Sequence, residues 1–199
     1  MLLSLSRKFI FVANVKSASS SIERALGERA EIRLSQTKFG KHDGLTTISR
    51  KFGWVRRYVP YSEFFIFGVI RDPVDLLISL YNSHHKEIFD GLPHSTKGMS
   101  FDEFRQSWCE KSWQAKPQRL RFIDEHERFR VSHLIDFAEL TSDFPKICAR
   151  LGLQGIELPT ANVSPAMLAR NDLSDAQIQD IQDEFASDYD YIKNRPRAF

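Results

Sequence analysis

Three groups of residues carry the chemistry of this sequence. The first is Lys16-Ser17-Ala18-Ser19-Ser20-Ser21, a lysine followed by small and hydroxyl side chains, just after the apolar run Phe9-Ile10-Phe11-Val12. Small residues let backbone N–H groups approach a ligand closely, and the helix that follows adds positive potential at its N-terminus. Lysine supplies a full charge and the serines supply donors. Phosphate or sulfate is the ligand such a turn suits. The same residues would also make a serine-rich helix cap behind a surface lysine. A Walker loop fits less well, because the only Gly-Lys pair, Gly40-Lys41, is followed by His42 and has Ser35 in place of the first glycine.

The second group is Arg71-Asp72-Pro73, which ends the apolar run 64–70, with Ser79 on the helix beyond it. An arginine fork can hold a phosphate through two bonds, and Ser79 adds a hydroxyl. Asp72 has two ordinary uses, pairing with Arg71 or capping the helix. The third group is His42, in Phe39-Gly-Lys-His-Asp-Gly44 between the other two. An unperturbed histidine, with a pKa of about 6.5, suits proton abstraction near neutrality. It also fits a structural or surface role. His84, His85, Glu23 and Asp43 are weaker candidates for a base.

The elements that must position these groups follow from the pattern. Residues 9–15 and 64–70 are near-continuous apolar runs, as in strands covered on both faces. Val74, Leu77, Ile78 and Tyr81 mark one buried helix face, and Pro73 fits its first turn. Ser100…Glu103 and Ser174…Gln177 read as capping boxes. Residues 129–135 read as a further strand, before a helix with Phe144, Ile147, Cys148 and Leu151 inward and Gly152 as its stop. Residues 90–98, with Gly91, Pro93 and Gly98, read as a mobile loop. Alternating strands and helices predict an α/β fold whose mainly parallel sheet is flanked by helices, with ligands at the carboxyl ends of the strands.

Length and composition set the bounds. The 199 residues suit a single domain over 1–199, and 42% hydrophobic with 27% charged residues is a globular composition. A net charge of +2 is too small and too dispersed to argue for nucleic acid. The apolar run near the N-terminus is too short to span a bilayer. Cys109 and Cys148 read as reduced thiols without further zinc ligands nearby, and the location expected is cytoplasmic.

Taken together, Lys16-Ser-Ala-Ser-Ser-Ser21 and Arg71-Asp-Pro with Ser79 eight positions after the arginine resemble the sulfotransferases that use 3′-phosphoadenosine 5′-phosphosulfate (PAPS), in particular the carbohydrate branch that includes the heparan 2-O-sulfotransferase-like enzymes. The resemblance implies a P-loop-NTPase-like three-layer sandwich. It implies that Lys16, Ser17, Ala18, Ser19, Ser20 and Ser21 hold the 5′-phosphosulfate, and that Arg71 and Ser79 hold the 3′-phosphate. Lys16 and His42 are then the catalytic pair, and no metal is required. The acceptor implied is a hydroxyl, of a glycan or glycolipid. The layout continues through Phe137, Leu140, Arg150-Leu-Gly-Leu153, Asn162-Val-Ser164 and a final helix over 173–191. Asp136-Phe137-Ala138 departs from it, since the family often has Arg-Phe-Glu there.

Two cation-rich stretches are candidates for the acceptor side: Arg50, Lys51, Arg56 and Arg57 around Trp54 and Tyr58, and Arg119, Arg121, Arg128 and Arg130. Each also reads as an ordinary solvated face. The competing functions are a nucleotide kinase or NTPase, and a binding protein that keeps the fold without turnover.

Overall fold

The computed structural model describes residues 1–124, 130–161 and 166–199, and the side chain of Arg56 is outside that description. Of the sequence expectations, Arg128, Phe129 and residues 162–164 lie outside the described residues. The elements run β1 (Leu2–Ser4), β2 (Phe9–Val12), α1 (Ser19–Leu26), β3 (Ile32–Arg33), α2 (Leu45–Lys51) and β4 (Phe65–Ile70). They continue with α3 (Pro73–His84), α4 (Phe101–Glu103), β5 (His133–Asp136), α5 (Leu140–Arg150), α6 (Asp175–Glu184) and α7 (Ala186–Lys193).

The five strands form one sheet in the order β3-β1-β2-β4-β5. β2, β4 and β5 run parallel, whereas β1 pairs antiparallel with both β2 and β3. The sheet is therefore mixed rather than mainly parallel. The short turn between β1 and β2 can only return the chain antiparallel, and β1 and the edge strand β3, with three and two residues, are too short to carry a pattern that would have announced them.

Strand alternation sorts the core onto two faces. Phe9, Phe11, Ala13, Phe65, Phe67 and Val69 meet Ile22 and Leu26 of α1 and Phe144 and Ile147 of α5. Ile10, Val12, Ile66, Ile70 and Leu134 meet Leu45 and Ile48 of α2 and Phe122 on the other face. Each fully buried side chain of this size contributes roughly 1.5–3 kcal/mol by leaving water. A third apolar cluster joins α3, α4 and α6 through Leu77, Tyr81, Phe101 and Ile181.

Local signals behave as their chemistry dictates. Pro73 occupies the first turn of α3, and Asp72 caps it by accepting from the N–H groups of Val74 (2.9 Å) and Asp75 (3.2 Å). Both capping boxes form, at Ser100 and at Ser174. Gly152 ends α5 with a φ of 68°. The single helix expected over 173–191 is instead two, because Phe185 leaves helical geometry (φ −103°, ψ 23°) while burying its ring. Residues 90–98 form a loop that is tied down: the Thr96 hydroxyl donates to the Tyr81 carbonyl (2.7 Å), and the Trp108 indole N–H donates to the His94 carbonyl (2.9 Å). Among the described residues, no helix is long and apolar enough to cross a membrane.

Candidate active site

The parallel strands β2 and β4 lie side by side, with Phe9 opposite Phe65 and Val12 opposite Gly68. Their carboxyl ends therefore deliver residues 13–18 and Arg71 to the same place. A cavity of about 590 Å³ opens there, and Lys16, Ser17, Ala18, Ser19, Ser20, Lys41, His42, Arg71 and Ser79 all contribute to its wall.

The loop after β2 is tightly wound. Lys16 (φ 53°) and Ala18 (φ 55°) both adopt the left-handed conformation, at a cost of roughly 1–2 kcal/mol each for a residue with a Cβ. The loop is held by the Ser17 hydroxyl, which donates to the Asn14 carbonyl (3.0 Å), and by the Val15 N–H, which donates to the Asn14 side chain (2.8 Å). Ala18 accepts the first helical bond from the Ile22 N–H (3.1 Å), so α1 starts at the cavity wall with the positive end of its dipole toward it. Ser21 is the exception to the expected set. It is buried, at 4% exposure, and does not line the cavity, because successive helical residues turn by 100° and cannot all face one side.

Arg71 closes the opposite wall. Its Nη1 donates to the Lys16 carbonyl (3.1 Å), and its guanidinium lies over the Phe137 ring (4.5 Å). Its Nε is buried without a hydrogen-bond partner among the described residues. The Arg71 backbone is fixed from behind by Gln118, which accepts from the Arg71 N–H (3.1 Å) and donates to the Arg71 carbonyl (2.7 Å). Gln118 also accepts from Asn14 (2.7 Å), and its own N–H donates to the buried carboxylate of Asp188 (2.7 Å). Sequence reasoning missed this Asn14–Gln118–Asp188 chain, because nothing in its spacing sets it apart from ordinary loop and helix residues, and it named Phe137 only as part of the family layout, without a role at the site.

His42 takes its place through two neighbours. Its Nδ1 bonds to the Ala13 carbonyl (3.0 Å); since a carbonyl only accepts, Nδ1 carries the proton and Nε2 is the basic nitrogen. Arg121 donates to the His42 carbonyl (3.0 Å) and to the Trp113 carbonyl (3.1 Å), and its guanidinium stacks on the Trp113 ring (5.0 Å). The Trp113 ring centroid lies 6.2 Å from that of His42. Gly44 permits the arrangement, since a Cβ there would sit 2.9 Å from the Arg121 Cα.

Charge in the cavity is one-sided. Lys16, Lys41 and Arg71 contribute to the wall, and no Asp or Glu does among the described residues. Burial, reinforced by Lys86 and Arg71, brings the Lys16 ammonium down to about 8. Burial also brings His42 down to about 4, with Lys41 and Arg121 adding to the effect against the Ala13 hydrogen bond. This differs from the near-neutral value expected of an unperturbed histidine. The cause is a half-enclosed ring among cations, which disfavours the charged imidazolium.

The other candidate bases go elsewhere. Glu23 is buried in ion pairs with Lys41 (2.9 Å) and the Met1 nitrogen (2.9 Å). Asp43 accepts from Thr47 (3.1 Å) and does not line the cavity. His84 is buried among Phe89, His94 and Trp108, and His85 packs beside Tyr81. Trp54 and Tyr58 are exposed and pack on each other, and neither lines the cavity. Asp72 keeps both ordinary uses except that its ion partner is Arg170 (3.1 Å) rather than Arg71.

The family model of the Sulfotransferase family matches residues 3–191, almost the whole chain. The chain belongs to the sulfotransferase family. No curated protein and no solved structure matches it. As a sulfotransferase, the protein has a cationic cavity at the ends of two parallel strands, lined by no carboxylate among the described residues, where an anionic ligand is electrostatically favoured.

Proposed function

We propose that this sulfotransferase moves a sulfuryl group from PAPS to a hydroxyl, acting as a single domain over residues 1–199. The observation that carries this reading is the joint lining of one cavity by Lys16, Ser17 to Ser20, His42, Arg71 and Ser79. The residues fit the donor on a further ground. The Arg71 Nε is a buried donor without a partner among the described residues, and an anionic oxygen is what would satisfy it.

In this reading Lys16 and the loop before α1 hold the 5′-phosphosulfate, and Arg71 with Ser79 holds the 3′-phosphate. PAPS supplies an activated sulfuryl group on a phosphate leaving group. Lys16 and the α1 N-terminus stabilise charge that grows there during transfer. His42 accepts the acceptor proton at Nε2, while Nδ1 stays bonded to the Ala13 carbonyl. Arg121 positions His42 without touching the reacting atoms. Parallel β2, β4 and β5, covered on both faces, support the P-loop-NTPase-like three-layer description as part of the same reading. So do two buried free cysteines for a cytoplasmic setting, with burial pushing the Cys109 thiol up to about 12.

The acceptor is carried here only as far as a hydroxyl. The glycan or glycolipid is what the resemblance implies, and of the first stretch offered for it Arg50, Lys51, Trp54, Arg57 and Tyr58 do not line the cavity.

Thermal shift tests the donor. Adenosine 3′,5′-bisphosphate at one hundred times its dissociation constant raises the unfolding free energy by about 2.7 kcal/mol. ATP with Mg²⁺ gives a much smaller shift. Stabilisation by ATP–Mg²⁺ alone would sink the proposal in favour of a kinase or NTPase.

A further inference from the structure

A second cavity, of about 600 Å³, adjoins the first. It is walled by His84, Phe89, His94, Trp108, Trp113 and Gln114. Gln114 lines both cavities, and Trp113, on the wall of the second, is the ring beside His42. The volume lies within the range of small-molecule sites.

Its walls are largely aromatic, and several of their polar groups are engaged in the fold. The Trp108 N–H donates to the His94 carbonyl (2.9 Å), and the Ser107 hydroxyl donates to the Glu103 carbonyl (2.6 Å). Ser112 accepts from the Gln114 N–H (3.3 Å), and His84 Nδ1 donates to the Leu80 carbonyl (3.0 Å). The rings brace one another: His84 stacks on Phe89 (5.1 Å) and packs on Trp108 (4.8 Å), while Phe39 meets Trp113 edge-on (5.2 Å). Lys111 is the one lysine or arginine in the lining among the described residues, and no carboxylate joins it.

These walls discriminate between ligand classes. A polyanionic glycan needs several cations, and an enclosed sugar needs a partner for each hydroxyl, since an unmatched one is costly. An aromatic ring needs ring faces and edges at van der Waals distance. We infer that the second cavity is the acceptor subsite and that it takes a hydroxyl carried on an aromatic ring, a phenol, with its oxygen directed past Trp113 and Gln114 toward His42.

The inference rests on the PAPS reading above and deepens it. The phenol O–H bond breaks and its proton goes to His42 Nε2. The phenol oxygen forms a bond to sulfur as the bond from sulfur to the 5′-phosphate oxygen breaks, and that oxygen keeps the electron pair. The products are an aryl sulfate and adenosine 3′,5′-bisphosphate, with no oxidant or reductant needed. A phenol suits this base on acidity too: its proton leaves at a pKa of about 10, against roughly 16 for water-like hydroxyls.

The test is sulfuryl transfer from labelled PAPS to 2-naphthol, octyl glucoside and a desulfated anionic glycan, with adenosine 3′,5′-bisphosphate binding measured alongside by calorimetry. Two variants report on the cavity: Phe89→Ala removes a half-buried wall, and Ser107→Trp fills the cavity from an exposed rim position, with little demand on folding. The expected result is preferred transfer to 2-naphthol, its KM raised about tenfold by Phe89→Ala and its kcat/KM lowered more than about tenfold by Ser107→Trp, with bisphosphate affinity in both within about twofold of wild type. Normal bisphosphate binding with no transfer to 2-naphthol, with preference for either sugar, or with no response to Ser107→Trp overturns the subsite assignment and leaves the donor reading standing. Absence of bisphosphate binding in the wild type overturns both.

Discussion

Arg71 holds Lys16 by its backbone: Nη1 donates to the Lys16 carbonyl at 3.1 Å across 55 residues of sequence. The bond ties the loop after β2 to the end of β4, so the two halves of the candidate donor site form one rigid unit. Phe137 supports the guanidinium from its face at 4.5 Å, and Gln118 grips the backbone on both sides. A lysine at 71 would keep the charge but could not make the planar fork or the stack.

Arg71→Lys is therefore expected to behave almost as badly as Arg71→Ala. Losing a hydrogen bond to a charged group costs about 1.5–3 kcal/mol, or roughly ten- to a hundredfold in affinity for adenosine 3′,5′-bisphosphate. Calorimetry with both variants checks this. Affinity near wild type in Arg71→Lys would mean that charge alone suffices.

His42→Gln is expected to lower kcat by about 10²–10⁴-fold while donor affinity stays within a fewfold. A second readout is thermal. The His42 pKa in the fold, about 4, lies below its unfolded value of about 6.5, so the unfolded chain binds more protons between those limits. Neutral His42 therefore contributes stability that is present above about pH 6.5 and is lost as pH falls through 4, by at most about 3 kcal/mol. His84 and His133 shift in the same direction through burial, so the wild-type slope does not vanish in the variant. Melting temperatures between pH 4 and 7 should fall less steeply for His42→Gln than for wild type.

Gly44→Ala probes the frame behind the base. The added Cβ would meet the Arg121 Cα at 2.9 Å and its carbonyl oxygen at 3.1 Å, and both are backbone atoms that cannot swing away. Overpacking of this kind costs about 1–3 kcal/mol. It should also move Arg121 off the His42 and Trp113 carbonyls. The expected outcome is a lower melting temperature together with a kcat reduced about tenfold at unchanged donor affinity. A fall in stability alone would confine Arg121 to a structural role.

The cationic cavity was legible in the sequence and the aromatic one almost invisible. Long apolar runs announced β2 and β4, and their carboxyl ends carry Lys16 and Arg71, so strand polarity alone brought the two motifs together. Pro73, Asp72, Ser100 and Ser174 marked helix starts because capping is local chemistry. The two-residue β3 and three-residue β1 left no comparable pattern, and with them went the antiparallel half of the sheet. The aromatic cavity could not be read at all. Phe89, Trp108 and Trp113 come from separate turns brought together by the packing of α3 and α4, and no spacing encodes that. Trp54, in one of the two stretches the sequence offered as candidates for the acceptor side, is an exposed surface residue.

Lys16 offers a test that reads the donor site without any acceptor. In the free protein its pKa is about 8, because burial and the nearby Lys86 and Arg71 charges disfavour the ammonium. At pH 8 about half of the molecules therefore hold a neutral Lys16. An anionic ligand beside it restores the charged form, so binding must take up protons, up to about half of one per ligand at pH 8 and almost none at pH 6. By the same linkage, affinity for adenosine 3′,5′-bisphosphate should weaken as pH rises above 8. His42 adds little at that pH, its own value lying near 4 in the free protein. Calorimetry at pH 8 in buffers of different ionisation enthalpy measures the uptake directly. Lys16→Arg keeps the charge at every accessible pH and should abolish the uptake. Uptake that persists in Lys16→Arg would assign the proton to another group and remove Lys16 from contact with the ligand.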